Sequence, residues 1–267
     1  MGRNLVYTLA LDPAGQTGHR NLAKMLVSSL LRTRFTGDIL VFHNSPLPLY
    51  MVARGGVREV NMGVPKKVGP ANEFVAYAQS CKHAVARHID AAAYDKVMFI
   101  DCDSVVLRNI DHLLDGDWDL AVTIENGSRI QEYGYGGYLK PRERKLMRRP
   151  GKNSGTWAVS GRRFREFLRW WRAVESRPCR RGCLREQSAF NRVALDWDGV
   201  MHPWRKGEIA LPLVTGHLQT YVDFARASIV HAASGAAVDY KLRFIFSIYA
   251  GAFLFDSQLA IFNTIEM

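Results

Sequence analysis

The sequence predicts an α/β protein: a mostly parallel central sheet flanked by helices, with a helical segment at the C-terminal end. Three observations predict it. Short, largely apolar runs of strand length recur at Leu5–Ala10, Ile39–Phe42 and Val97–Ile100, the signature of strands buried on both faces. Stretches with helical apolar spacing lie between them, joined by short links. Such alternation builds right-handed β-α-β units around a parallel sheet.

In order, Arg3 to Ala10 reads as the first strand, and Asp12-Pro13-Ala14-Gly15 is turn chemistry. Thr17 to Arg32 places Leu22, Met25, Leu26 and Leu30 on one side of a helix, with Thr17 positioned as its cap. Asp38 to Phe42 is a second strand and Val57 to Met62 a weaker third. Asn72 to Ile89 follows as a helix, with Phe74, Ala78, Cys81, Val85 and Ile89 on its apolar face. Trp118 to Glu125 is a strand, and the glycine- and tyrosine-rich stretch Asn126–Gly137 a loop. Arg162 to Glu175 is amphipathic, with Phe164, Phe167, Leu168 and Trp171 facing the core. Asp196-Trp197-Asp198-Gly199 reads as a turn with positive φ at Gly199. Ile209–Pro212 and Ala227–His231 read as edge strands, and Leu242 to Phe262 as an apolar helical segment. The chain then divides into a main domain, 1–240, and a C-terminal helical segment, 241–267.

Composition narrows the setting. No uninterrupted apolar stretch of about 18 residues occurs, which argues against a spanning helix, and no basic start leads into an apolar core of the kind a signal peptide has. Cys81, Cys102, Cys179 and Cys183 form no Cys-x-x-Cys pair, so loop or core thiols in a reducing, cytoplasmic compartment are expected. The net charge is +11, and Lys140–Arg185 alone carries sixteen Lys and Arg against three Glu. Such a block expects an anionic partner: an acidic or phosphorylated glycan, an acidic lipid surface met peripherally, or nucleic acid, although no nucleic-acid motif accompanies it.

The chemistry centres on Lys96-Val-Met-Phe-Ile-Asp101-Cys102-Asp103-Ser-Val-Val106. A buried strand ends in two carboxylates one residue apart, at the end of the sheet where open α/β folds bind ligands. Like charges this close call for a cation. Solvated turn carboxylates are the plainer reading of the motif alone.

The longer stretch Tyr94-Asp-Lys-Val-Met-Phe-Ile-Asp-Cys-Asp-Ser-Val-Val-Leu-Arg-Asn-Ile-Asp-His-Leu-Leu114 resembles the Asp-x-Asp segment of nucleotide-sugar glycosyltransferases of the GT-A (Rossmann-like) fold, and the glycogenin and lipopolysaccharide galactosyltransferase family in particular. Three islands follow in the family's order: Asn153-Ser-Gly155 before an apolar strand, Glu186-Gln187-x-x-x-Asn191, and His231, Gly235 and Lys241 in place of a tighter His-x-x-Gly-x-x-Lys. The resemblance implies a hexosyltransferase using Mn²⁺ (or Mg²⁺), a UDP-sugar donor and retention of configuration. It implies Asp101, Asp103 and His231 as metal ligands. Thr8, Leu9 and Ala10 fall at the nucleotide base. Lys82 (or Arg87) and Lys241 fall at the diphosphate, Asn153 and Gly155 at the sugar, and Glu186 and Gln187 at the reacting carbon. Glu186 stands where the family has Asp. The acceptor, a glycan, protein or lipid, is not implied.

Two other readings stay open. Phe99-Ile-Asp-Cys-Asp-Ser-Val-Val106 also fits the opening of a haloacid-dehalogenase-like Mg²⁺-dependent phosphohydrolase, although about a hundred residues precede it and no Gly-Asp-x-x-x-Asp follows. A non-catalytic binder of anionic glycans would use the basic block alone.

Overall fold

The computed structural model describes residues 3–13, 16–48, 56–63, 71–131, 135–180, 184–212, 226–232 and 237–253. Ten strands and five α-helices run along the described residues. They are β1 (Asn4–Ala10), α1 (Gly18–Arg32), β2 (Asp38–His43), β3 (Val57–Asn61), α2 (Ala71–Ala84), β4 (Lys96–Ile100), β5 (Ser104–Val106), β6 (Leu120–Arg129), β7 (Pro150–Ser160), α3 (Phe164–Glu175), α4 (Arg185–Asp196), β8 (Met201–Pro203), β9 (Ile209–Ala210), β10 (Ile229–His231) and α5 (Val238–Phe253). A seven-stranded, mostly parallel sheet has the order β3-β2-β1-β4-β7-β6-β8, and a three-stranded sheet the order β5-β10-β9. The protein is thus α/β, with β6 and β7 as an antiparallel pair in the larger sheet.

The contacts divide the chain into two compact units interleaved in sequence: 1–5, 69–99 and 114–206 form one, and 6–68, 100–113 and 207–267 the other. The first holds an aromatic core. Trp157 on β7 lies 5.7 Å from Phe99, 4.9 Å from Phe167 and 5.8 Å from Trp171 between ring centres, and Phe190 of α4 lies 5.0 Å from Trp171. The face predicted for Phe164, Phe167, Leu168 and Trp171 is fully buried. A satellite cluster of Ile130, Tyr135 and Leu139 receives Leu146 and Met147 from a 3-10 run, Pro141–Arg148. The apolar side of that basic run is therefore anchored while Arg142, Arg144, Lys145 and Arg148 stay exposed.

In the second unit α1 buries Leu22, Ala23, Leu26, Val27 and Leu30. Its Ser29 hydroxyl is fully buried, donates to Leu26 O and accepts the Val106 N–H at 3.0 Å, which fixes β5 to the helix. Helix α5 joins α1 through a Ser28–Tyr249 hydroxyl pair at 2.5 Å, and the Arg32 guanidinium lies over the Tyr249 and Phe253 rings. The Asn109-Ile110-Asp111 segment also has a structural task. Asn109 donates to Arg34 O at 2.8 Å and accepts from Asp111 N–H, which holds Arg34 at its φ of 58°.

Several expectations shift. Helix α2 gives way to a 3-10 turn at Val85–Arg87, so Ile89 lies beyond it. Strand β6 runs on to Arg129, into the stretch read as loop. Strand β10 is the middle of its sheet rather than an edge. Thr17 makes no side-chain cap on α1; Asp12 caps it instead, accepting the His19 and Arg20 N–H groups at 2.7 and 2.9 Å. Gly199 does not have positive φ; a side chain there would collide with Asp119 and the Trp197 indole. Cys179 is disulfide-bonded rather than a reduced loop cysteine, while Cys81 and Cys102 are free and buried. Helix α5 starts at Val238, just ahead of the boundary drawn at 241; residues 254–267 lie outside the described residues.

Gly161 offers a direct test of the packing. A Cβ at this position would meet the backbone carbonyl oxygens of Tyr94 and Ala91, neither of which belongs to a side chain that can rotate away. Gly161→Ala is expected to destabilise the protein by about 3 kcal/mol, as overpacking against backbone does. Urea unfolding with an unchanged midpoint would contradict this placement.

Candidate metal centre and a buried carboxylate cluster

The metal candidates converge because two strand ends meet. Strand β10 pairs antiparallel with β5, His231 opposite Ser104, and the Ala232 N–H donates to Asp103 O at 2.9 Å. The register that satisfies these backbone groups sets the imidazole beside both carboxylates. His231 Nε2 is 3.2 Å from Asp103 Oδ1 and 3.7 Å from Asp101 Oδ2. One ligand atom from each of Asp101, Asp103 and His231 lies within 4.8 Å of the others, among the described residues. Asp101, Asp103 and His231 would be the residues to hold a divalent ion there.

The donor set fits a hard divalent cation. Asp103 Oδ1 is buried and faces His231 Nε2 at 3.2 Å, so a cation between the two would meet an oxygen and a nitrogen already aimed at one point. Two carboxylate oxygens and an imidazole nitrogen make a donor set that could hold a divalent ion. His231 Nδ1 is also buried and has no hydrogen-bond partner among the described residues. The other oxygen of Asp103 is taken by Lys241 Nζ at 2.5 Å. Burial alone would raise the Asp103 carboxyl, but Lys241 and then His231 hold it far below the usual carboxylate range. Burial would likewise lower Lys241; Asp103 reverses this and keeps it charged. The buried Cys102 thiol is pushed up by burial and by Asp103 and Asp101. It stays a neutral thiol between two acids.

Thr8, Leu9 and Ala10 are buried at the end of β1, and the Thr8 hydroxyl makes no hydrogen bond. Gly235 lies outside the described residues.

The remaining predicted residues form a second cluster, in the first unit. Lys82 donates to Glu186 Oε1 at 3.2 Å and lies 4.9 Å from the Phe99 ring centre, so the ammonium assigned to a diphosphate is here paired with Glu186. Ser154 is the hub. Its hydroxyl lies 3.0 Å from Glu186 Oε2 and 2.6 Å from Gln187 Oε1, which also accepts the Ser154 N–H. The Gln187 amide donates to Lys152 O, and Asn191 accepts from Lys152 N–H and donates to its carbonyl. The Asn153 side chain accepts the Gly155 N–H at 2.7 Å and donates to Glu125 at 2.8 Å. Thus Asn153, Gly155, Glu186 and Gln187 come together around one bend of β7. Arg87 is exposed and donates to His88 instead. The second Asp-x-Asp is structural: Asp196 pairs with Arg192 and Asp198 with Arg163.

Sequence reasoning missed Ser154, Glu125 and a neighbour pair, half-buried Glu175 and buried His83, whose Oε2 and Nε2 are 3.2 Å apart. Ser154 had a signal in its place between Asn153 and Gly155; Glu175 was only the last residue of an amphipathic helix and carried none. Burial first, then Lys82 and Arg172, push His83 down to about 4. Burial and the Glu186 charge lift Glu175 to about 7.

No protein-family model matches the chain, and no curated protein matches it.

Glu175 gives a pH test. Its folded pKa is raised, so its contribution is favourable below the unfolded carboxylate range and is lost as pH rises towards 7. Glu175→Gln mimics the protonated form and escapes that loss. The variant is expected to be more stable than the wild type at pH 8 by on the order of 2 kcal/mol, allowing for partial exposure, with the gap closing towards pH 4.5. Urea melts at the two pH values measure it; an equal gap at both would show that Glu175 titrates normally.

Proposed function

We propose that this chain is a metal-dependent glycosyltransferase of the GT-A fold that moves a hexose from a nucleoside-diphosphate donor to an acceptor hydroxyl. The observation that carries the reading is the meeting of Asp101, Asp103 and His231 at the ends of consecutive and paired strands. These three side chains hold the ion, Mn²⁺ in preference to Mg²⁺. When bound, it neutralises the charge that develops on the departing diphosphate. The resemblance of the Tyr94–Leu114 stretch selects a UDP-sugar and retention.

Within that reading the side chains have distinct tasks. The acceptor oxygen bonds to the anomeric carbon as the bond to the diphosphate breaks. Glu186 and Gln187 stabilise the positive charge on the sugar ring or bind its hydroxyls, and Ser154 and Lys82 fix how those two side chains point. Asn153 and Gly155 line the sugar, and Thr8, Leu9 and Ala10 the base. The exposed cations of the Pro141–Arg148 run favour an anionic acceptor, since the one acid within it, Glu143, is already neutralised by Arg192 at 2.8 Å. No described helix is long and apolar enough to cross a membrane. A cytoplasmic enzyme in peripheral membrane contact agrees with the buried free thiols Cys81 and Cys102; the Cys179 disulfide points the other way.

The test is a panel of nucleotide sugars with and without Mn²⁺. One donor is expected to bind and be slowly hydrolysed only with the metal, with turnover falling at least about 100-fold in the Asp101→Ala, Asp103→Ala double variant. Hydrolysis of a generic phosphate ester with Mg²⁺, and no binding of any nucleotide sugar, would replace this reading with the phosphohydrolase one.

A further inference from the structure

Asp103 is engaged on both of its oxygens, and only one of the two partners is a ligand of the ion. Oδ1 points at His231 Nε2, 3.2 Å away, while Oδ2 is 2.5 Å from Lys241 Nζ. Lys241 lies near the start of α5, whose later turns are fixed on α1 by Tyr249 and Phe253. The ammonium is thus delivered to the carboxylate by a helix anchored elsewhere. All three carboxylate and amine partners are largely removed from water, with side-chain exposures of 12% for Asp103, 16% for Lys241 and 28% for Asp101.

A divalent ion seated on Asp101, Asp103 and His231 would share Asp103 with the ammonium. Two cations on one buried carboxylate repel strongly, because little water screens them. The lysine has four methylenes and many rotamers, whereas Asp103 and His231 are fixed by the β5–β10 register. The lysine is the partner that yields.

We infer that Lys241 is an exchangeable internal cation: it neutralises Asp103 when no divalent ion is bound and releases the carboxylate when one arrives. This rests on the metal site of the proposed function and adds an order to it. While it is held on Asp103, the ammonium cannot serve an anion. Metal entry frees it, so an anionic ligand that uses Lys241 binds after the metal and not before.

Two measurements on the full-length chain test the exchange without any turnover. The first is Mn²⁺ affinity, read from the free-ion electron paramagnetic resonance signal in the absence of nucleotide. Lys241→Gln keeps a hydrogen-bond donor but no charge, and is expected to bind Mn²⁺ about ten-fold more tightly, the scale of one nearby charge. Tightening alone would also follow from a lysine that repels the ion without moving. The second measurement separates these cases: trace acetylation of the wild-type protein with acetic anhydride, read at Lys241 by mass spectrometry. Saturating Mn²⁺ is expected to raise Lys241 labelling at least about three-fold, because a carboxylate-bound ammonium is protected and a freed one is not. Asp103→Asn is expected to label at the high level with or without Mn²⁺. Wild-type labelling unchanged by bound Mn²⁺ overturns the exchange, as does a Lys241→Gln affinity equal to or weaker than the wild type. Failure of both proteins to bind Mn²⁺ at all would instead remove the metal site itself, and the exchange with it.

Discussion

A carboxylate that is mostly shut off from water has to be compensated, and Asp103 is the point where this protein meets that demand. Its exposure is 8%, and desolvating an unpaired charge costs several kcal/mol. The compensation comes from two directions in the second unit, the His231 imidazole at the end of β10 and the Lys241 ammonium on α5, while the Ala232 N–H on the Asp103 main-chain carbonyl holds the backbone in place. A short central strand and a C-terminal helix are thereby tied to the end of β5.

The first unit solves a similar problem with one ammonium and a set of neutral groups. Glu186 is buried, and its two oxygens are divided between Lys82 and the Ser154 hydroxyl. Gln187 and Asn191 then hold the backbone of β7 at Lys152, which fixes where the Asn153–Gly155 bend lies. Removing one member would leave another buried and unpaired, the usual reason such networks resist single substitutions. Glu175 and His83 are the exception, a close pair in which burial opposes charge on both members.

What the sequence disclosed and what it hid follow from the range of the forces. The apolar face of α3 and the buried strands β1, β2 and β4 were readable, because burial imposes a period that the residues themselves carry. The pairing of Asp101 with Asp103 was also local. His231 was reachable only by its order in the chain, since the antiparallel register that brings it to Ser104 leaves no mark in either segment. Asp12 was legible as a turn residue but not as the cap of a helix that begins several residues later. The pairing of Lys82 with Glu186 links positions 104 apart, and no spacing rule reaches that far. Gly199 misled for a different reason: glycine serves both positive φ and close packing, and only the neighbouring Asp119 and Trp197 tell the two uses apart.

The distance along the chain between Asp103 and its ammonium partner has a consequence for synthesis. Lys241 is made 138 residues after Asp103. At translation rates of about 5–20 residues per second, that is roughly 7–28 s during which the acid has no buried cation to meet. Strand β5 therefore has reason to stay solvated on the ribosome until β10 and α5 have emerged. Closure of the second unit is a late, C-terminal event, and stalling before Lys241 would leave a nascent chain whose central acid is still in water.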